Sequence, residues 1–308
     1  MKHVKLPHQN EVVPNKINGL IVADLHSHTR ASDGSLSAAQ LLEIAEARGV
    51  NLFAITDHDS VESVAAGRAA ALERKVNYVA GVEISAQWRD VPIHVVGLNI
   101  DESDASLLAG LSSTRAMRTD RAKAMGASLA HSGIANAFDG ARRHATHPEL
   151  ISRSHFARYL VDSGVCASNG EVFSRFMKPG KPGYVPVNWM SVEAAIALIH
   201  GAGGCAVLAH AARYDTEALG GVSSLISDFK NLGGDAIEVI CSGHSPSDWA
   251  NFAALARRFE LKASIGSDFH SHAESKVRIG DLPRLSPSLT PVWQDWSIAQ
   301  NTVFPNRR

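Results

Sequence analysis

Cysteine is scarce: Cys166, Cys205 and Cys241 are the only three in 308 residues, and they form no CxxC pair. An odd, scattered set excludes a disulfide framework and a structural zinc knuckle, and it points to a reducing compartment, the cytoplasm. Net charge is equally lacking, because 30 Lys and Arg stand against 31 Asp and Glu for a formal charge of -1. No overall basic field exists to hold a DNA duplex or a long nucleic acid by counterion release. Any phosphate must be met by local Arg and Lys, which fits a short or terminally phosphorylated ligand. No run is long and apolar enough to cross a bilayer, so no membrane role is expected. The first residues lack the apolar core and cleavage site of a secretory signal. Residues 1–18 read as an N-terminal tail, with His3 and His8 in solvent. Nothing in the chain demands an obligate protein partner.

What is plentiful is core-forming material, at 45% hydrophobic, and histidine, with fifteen residues. The length allows one large barrel or two ordinary domains. Gly19-Leu20-Ile21-Val22-Ala23 reads as a buried strand followed by Asp24-Leu25-His26-Ser27-His28. Alternation along a strand puts His26 and His28 on one side, as a metal clamp would need. Asp33 lies in the loop beyond, and Gly34 is expected to let the backbone turn into a helix capped by Ser37 and Gln40. A second strand, residues 51–56, runs into Asp57-His58-Asp59. The next helix should start at Asp59 or Ser60 and reach about Arg74. A third strand, 76–82, ends in Glu83, and a fourth, 92–100, opens near His94. Strand then helix is the repeating unit, which implies a parallel sheet with helical crossovers.

That rhythm breaks over residues 103–186. Residues 105–130 read as one or two helices carrying Arg115, Arg118, Arg121 and Lys123, and 154–163 and 171–177 as shorter ones. The stretch ends in a Pro/Gly hinge at 178–184. This looks like an inserted helical domain, with the barrel itself at 19–102 and 187–274. After it, a helix capped by Ser191 leads to a strand at 205–209 ending in His210, a helix at 222–232, and a strand at 235–240. Ser245-Pro246 opens the last helix. The seventh strand, 261–265, leads to Gly266-Ser267-Asp268-Phe269-His270. Residues 275–308 are Pro-rich and irregular, and nothing beyond His272 is given a site role.

His26, His28, Asp33, His58, Glu83, His210, Asp268 and His270 thus follow strands, and His94 opens one. A barrel gathers strand ends at one rim, so all nine are expected to converge. Nine donors exceed the four to six that one ion takes, so two or three metals are implied. Imidazole and carboxylate without thiolate suit manganese, iron or zinc about equally. Arg153, Arg158, Lys181 and Arg213 could supply cations for a phosphate, Arg with its planar fork above all. His244, after the sixth strand, is a candidate general acid; a histidine merely hydrogen-bonded in a loop is the alternative.

Taken together, His26-Ser27-His28 with Asp33-Gly34, Ile55-Thr56-Asp57-His58-Asp59, Gly81-Val82-Glu83, His94-Val95-Val96-Gly97, Ala209-His210 and Gly266-Ser267-Asp268-Phe269-His270 resemble the polymerase and histidinol phosphatase (PHP) family. The resemblance implies an α/β fold, a distorted seven-stranded barrel with a trinuclear site. It is strongest to the branch with a helical insertion that hydrolyses nucleoside 3′,5′-bisphosphates and trims RNA from a 5′-monophosphate end. Carried over, one metal takes His26, His28, Glu83 and Asp268, a second Glu83, His94 and His210, and a third Asp33, His58 and His270, with manganese the expected ion. The pattern R-x-H-F-A-R matches Arg153, His155 and Arg158, so the insertion would act as a lid reading a 5′-phosphate. His155 is then a candidate for proton transfer as well, and Ser267 for substrate contact. Where the branch has H-P-G-R-Y, this chain has His210-Ala211-Ala212-Arg213-Tyr214, and the loop before Arg213 is expected to differ. The competing readings are a metal amidohydrolase, a histidinol phosphatase and a noncatalytic PHP module. The first often needs a strand-end lysine that is missing here, the second leaves Arg153 and His155 without a reason, and the third tends to lose ligands.

Overall fold

The computed structural model of the protein describes residues 20–186 and 188–296. The expected N-terminal tail with His3 and His8, the bounding Gly19, and the last residues of the C-terminal segment lie outside them. Within the described residues the chain runs β1 (Ala23–Asp24), α1 (Ala38–Ala47), β2 (Leu52–Ile55), α2 (Val64–Leu72), β3 (Asn77–Trp88) and β4 (Val91–Leu98). A helical stretch follows: α3 (Ala105–His131), α4 (Ala137–His144), α5 (Arg153–Asp162) and α6 (Asn169–Val172), which passes into a π-turn at Phe173–Met177. The chain then resumes with β5 (Met190–Ser191), α7 (Val192–Gly201), β6 (Cys205–Leu208), α8 (Gly221–Asn231), β7 (Ala236–Cys241), α9 (Pro246–Arg258) and β8 (Lys262–Gly266).

Seven strands lie in the order β1-β2-β3-β4-β6-β7-β8, with the two-residue β5 added beside β3. The ring closes between its ends: Leu25 N–H donates to the Ile265 carbonyl at 2.9 Å, Asp268 N–H to His26 at 2.8 Å and His28 N–H to Phe269 at 2.9 Å. Gly266 is needed at this seam, since a Cβ there would lie 2.2 Å from the His26 Cβ. Strands β2, β7 and nearly all of β8 are buried on both faces, as expected of parallel strands covered by helices. α7 packs on β3, β4 and β6, and α9 on β7 and β8.

The all-parallel expectation fails at β4. β3 and β4 form an antiparallel hairpin, with Glu83 opposite Val96 and Ser85 opposite His94, and β4 also runs antiparallel to β6. β3 therefore does not stop at Glu83 but continues through Ile84, Ala86 and Trp88, all buried, to a turn with Arg89 at φ 51°. The reversal explains why His94 stands at the start of its strand. The beginning of an antiparallel strand lies level with the ends of its parallel neighbours.

The capping box at Ser37 and Gln40 forms, with Ser37 Oγ accepting from Gln40 N–H at 3.3 Å. Gly34 has an ordinary negative φ, and its role is close approach: a Cβ would sit 2.2 Å from the His28 carbonyl oxygen. α2 begins at Val64, later than expected, because Asp59 is engaged elsewhere, accepting from Ser85 N–H at 2.8 Å. The helical stretch has its own apolar cluster around Met125, Leu129, Phe156, Leu160 and Phe176. Its boundary is not sharp, since Leu107 and Leu111 at the start of α3 belong to the barrel's core. The C-terminal segment is irregular as expected, yet it is not idle: Leu289 and Val292 are buried in that same core.

Candidate active site

The parallel strands end at one rim, and short bridges carry the pairing past them. Ser27 pairs with Phe269, and His58 with Glu83. The second of these sets Glu83, in the middle of β3, level with the loop after β2. Two of the rim residues sit in left-handed backbone, His210 at φ 31° and Asp268 at φ 51°, a strained state that recurs at functional positions.

The structure brings all nine expected ligands together. His26 Nε2 lies 3.3 Å from Glu83 and 3.4 Å from Asp268, and His28 Nε2 lies 3.2 Å from Glu83 and 3.1 Å from Asp268. His58 Nδ1 is 2.9 Å, His94 Nδ1 2.7 Å and His210 Nε2 2.9 Å from Glu83. Asp33 meets His270 Nε2 at 3.2 Å and His58 Nε2 at 3.8 Å. Three groups have donor atoms all within 4.8 Å of one another: His26, His28, Glu83 and Asp268; His28, Asp33, His58 and His270; and His58, Glu83 and His94. The first coincides with an expected set. The other two differ in detail, since the ring of His28 lies between two groups and His58, rather than His210, completes the one around His94.

The cluster is chemically incomplete by itself. Buried, unpartnered atoms include His26 Nε2, His28 Nδ1, Asp33 Oδ1, His58 Nδ1, Glu83 Oε2, His94 Nδ1 and His210 Nδ1. Buried polar atoms are normally paired, so this many orphans within one cluster fit a site for divalent cations. Burial alone would discharge such histidines, and for His210 it does: burial and the nearby Arg213 push it down to about 4. His28 goes the other way, because hydrogen bonds to Asp268 and Glu83 overcome its burial and raise it to about 10.

Residues that the sequence reading passed over hold these ligands in place. Glu238 on β7 accepts from His26 Nδ1 at 2.7 Å and from His210 N–H at 2.6 Å, which leaves His26 Nε2 free to face a cation. Such outer carboxylates tune ligand orientation and basicity. Glu238→Gln should weaken manganese binding about 10- to 100-fold, measured by competition with a chelating dye; unchanged affinity would contradict the role. Asp57 knits two ligand loops together, accepting from Thr29 N–H at 2.7 Å, from Ser32 Oγ at 2.5 Å and from Ser63 Oγ. Arg118 on α3 donates to Asp59 at 2.5 Å and to Ser85 Oγ at 2.6 Å, tying the helical stretch to the His58 loop.

Of the expected substrate residues, Arg153 and Arg213 border a cavity of about 450 Å³ that opens onto the ligand cluster. Arg213 also donates to Asp268 at 2.5 Å and to the Ser242 carbonyl at 2.6 Å. Arg153 stands over the face of Phe173, 5.8 Å away, with no side-chain hydrogen bond among the described residues. Arg158 is engaged away from the cavity: it grips Glu274 through Nε at 2.7 Å and Nη2 at 2.6 Å and donates to the Asp33 carbonyl at 2.5 Å. It positions Asp33. Its partner Glu274 lies beyond His272, as does Ser275, whose Oγ accepts from His270 N–H at 2.8 Å. The expectation of no site role there is corrected: this part of the chain braces two ligands. His155 is buried, its Nδ1 accepting from Ser152 N–H at 2.9 Å, while burial pushes it down to about 4. Ser152, the cap of α5, donates to Asp33 at 2.9 Å. Ser267 is buried, with its N–H bonded to Asp24 at 2.8 Å. Lys181 sits on an exposed turn. His244 stacks on Phe252, with Nδ1 3.2 Å from the Val239 carbonyl and Nε2 accepting from Ala212 N–H at 3.3 Å. Both of its ring nitrogens are occupied by backbone groups.

One end of the large cavity is strongly cationic. Arg121, unassigned from sequence, is pushed down to about 9 by burial and by repulsion from Arg153 and Arg118. Arg118 and Arg121 also stand over the ring of Trp189, at 5.4 and 5.8 Å. Three crowded guanidiniums, of which among the described residues Arg118 alone is ion-paired, to Asp59, make a receptor for an anion.

A barrel whose rim carries such a donor set beside an anion-binding cavity is that of a metal-dependent hydrolase. The PHP domain matches residues 24–178, and the chain belongs to the PHP family. It is 46% identical over 272 residues to the 3′,5′-nucleoside bisphosphate phosphatase of Chromobacterium violaceum, covering 88% of this chain and 95% of that one. It is 39% identical over 289 residues to the 5′-3′ exoribonuclease Rnm of Escherichia coli, covering 93% and 97%. Among solved structures, one of C. violaceum described as an amidohydrolase, with bound sulfate and no metal, superimposes with a TM-score of 0.86 at 45% identity, covering 91% and 98%. One of Bifidobacterium adolescentis assigned to the metal-dependent phosphoesterases gives 0.74 at 27%, covering 92% and 96%.

Proposed function

We propose that this chain is a metal-dependent phosphoesterase that removes the 3′-phosphate of nucleoside 3′,5′-bisphosphates, and that it releases mononucleotides 5′ to 3′ from short 5′-phosphorylated RNA. The observation that carries this is one cavity with two anion-seeking ends, the orphaned ligand cluster at one and the crowded guanidiniums at the other. A substrate with two phosphates spans both. The names of the two curated relatives accord with it. We assign two or three ions to the cluster, manganese first, and the chain to the cytoplasm; three free cysteines fit a reducing compartment, and among the described residues no helix is long and apolar enough to cross a membrane.

Divalent ions bound at the cluster would polarise the phosphoryl oxygens and supply hydroxide near neutral pH. The chain's own residues do the rest. Arg153 and Arg121 receive the 5′-phosphate, and with the nucleotide held at that end its 3′-phosphate reaches the rim. Arg213, fixed by Asp268 and the Ser242 carbonyl, offers positive charge beside the phosphoryl group. An amidohydrolase site bridged by a modified lysine is disfavoured, since among the described residues no lysine lines the cavity over the cluster and Glu83 stands among five imidazoles.

The assay is phosphate release from adenosine 3′,5′-bisphosphate with manganese, compared with a simple aryl phosphate. Arg153→Ala should lower kcat/KM about 10- to 100-fold on the bisphosphate, the scale of one lost charge-assisted contact. The aryl phosphate should be nearly unaffected. Equal loss on both would refute the reading of this arginine, and no release from the bisphosphate by the native protein would refute the function.

A further inference from the structure

A second cavity, about 360 Å³, adjoins the first and shares Ser154, Phe173, Arg213, Asp268 and His270 with it. Its own walls are Asn169, Gly170, Ser242, Gly243, Glu274, Ser275 and Lys276. The two cavities thus meet at the rim residues Asp268 and His270, where the phosphoryl group must sit, and their linings differ. The first is ringed with guanidiniums and aromatic rings. The second offers small polar side chains, two glycines, the Glu274 carboxylate already gripped by Arg158 and, besides the shared Arg213, one cation, Lys276, an exposed side chain.

The chemistry of the two substrates assigns a use to this difference. In both, a water oxygen joins phosphorus, the bond from phosphorus to the ribose 3′-oxygen breaks, and that oxygen departs with a proton. In the bisphosphate the transferred phosphoryl carries nothing more. In RNA it carries the 5′-oxygen of the next nucleotide, so the rest of the strand must leave the rim on the side away from the first nucleotide. We infer that the second cavity is the subsite for the nucleotide 3′ to the scissile bond, and that Lys276 meets the phosphate after it. This rests on the function proposed above. The lining, with Phe173 its one aromatic ring, would admit any base.

The test compares the native protein with Lys276→Gln and Lys276→Glu on three substrates with manganese: adenosine 3′,5′-bisphosphate, a 5′-phosphorylated dinucleotide and a 5′-phosphorylated pentanucleotide. The dinucleotide has no phosphate beyond the scissile one. On the pentanucleotide, Lys276→Glu should lower kcat/KM about tenfold, one charge-assisted contact's worth, with Lys276→Gln in between. The slope of log kcat/KM against log salt should also fall by about 0.7, as for one lost contact to a single strand. The bisphosphate and dinucleotide should change less than about twofold, since neither reaches Lys276. A pentanucleotide rate that is unchanged, or that falls in step with the bisphosphate rate, overturns the assignment while leaving the proposed function intact. A native protein inactive on all three overturns the function itself.

Discussion

Replacing Glu83 by Gln is expected to lower turnover of the bisphosphate by about 10³-fold or more, at least the scale of removing one preorganised charge-stabilising group, and to remove at least one bound ion per chain. The reason lies in how its two oxygens are divided. Oε1 faces His94 at 2.7 Å and His210 at 2.9 Å, whereas Oε2 faces His58 at 2.9 Å, His28 at 3.2 Å and His26 at 3.3 Å. Among the described residues no other touches five of these imidazoles. Glutamine keeps the shape of the side chain but replaces a charged acceptor with an amide, whose NH₂ group is a donor pointed at ligand nitrogens. Glu83→Asp retains the charge and shortens the reach by one methylene, so it should fall between the two. Metal counting by mass spectrometry, with circular dichroism to check folding, separates a lost ion from a lost fold. A folded Glu83→Gln protein with full metal content and near-native turnover would sink the bridging role.

Most of the cluster at the rim was legible because a histidine or acid directly after an apolar run is conspicuous, and because a barrel delivers such positions to one rim. The antiparallel hairpin was not legible. Glu83 looked like the end of a strand, since an acid inside one is costly to bury; here five imidazoles surround it, and the strand continues. Glu238 had a signal of the same kind, a single carboxylate in Ala236-Ile237-Glu238-Val239-Ile240-Cys241, and it was passed over because it ends nothing. The spacing of Arg115, Arg118 and Arg121 is three residues, which puts them on one side of a helix, but sequence could not say whether that side met solvent or a cavity. Arg158, expected to contact substrate, and His244, the candidate general acid, are engaged elsewhere for a different reason. Residue type was right, yet each is satisfied by a partner that chain folding supplies: Glu274, 116 residues on, for Arg158, and the Val239 carbonyl and Ala212 N–H for His244. Long-range pairing of that sort leaves no local pattern.

Manganese affinity is expected to rise steeply with pH, by about tenfold per unit for each proton an ion must expel and so about 100-fold per unit for two. In the metal-free protein, burial works against charge on His26 and His28, but the carboxylates Glu83, Glu238 and Asp268 around them win, holding His28 up to about 10 and His26 well above its ordinary value. Each imidazolium therefore stabilises the metal-free fold fully below the unfolded pKa of about 6.5, and that contribution is lost as pH climbs through the folded value. A cation requires the neutral ring, so between pH 6.5 and 8 an ion entering the His26, His28, Glu83 and Asp268 group displaces both protons. His58 and His210 are held down by burial, hence already neutral in this range, and add nothing to the count. Calorimetric titration of the metal-free protein with manganese, in two buffers of different ionisation enthalpy, reads the number released directly. Close to two protons for the tightest ion, with thermal stability of the metal-free form falling toward pH 10, is the expected result. A proton count near zero, with affinity flat across this range, would mean that the two histidines are already neutral, and that the carboxylates beside them do not hold the site in its protonated form.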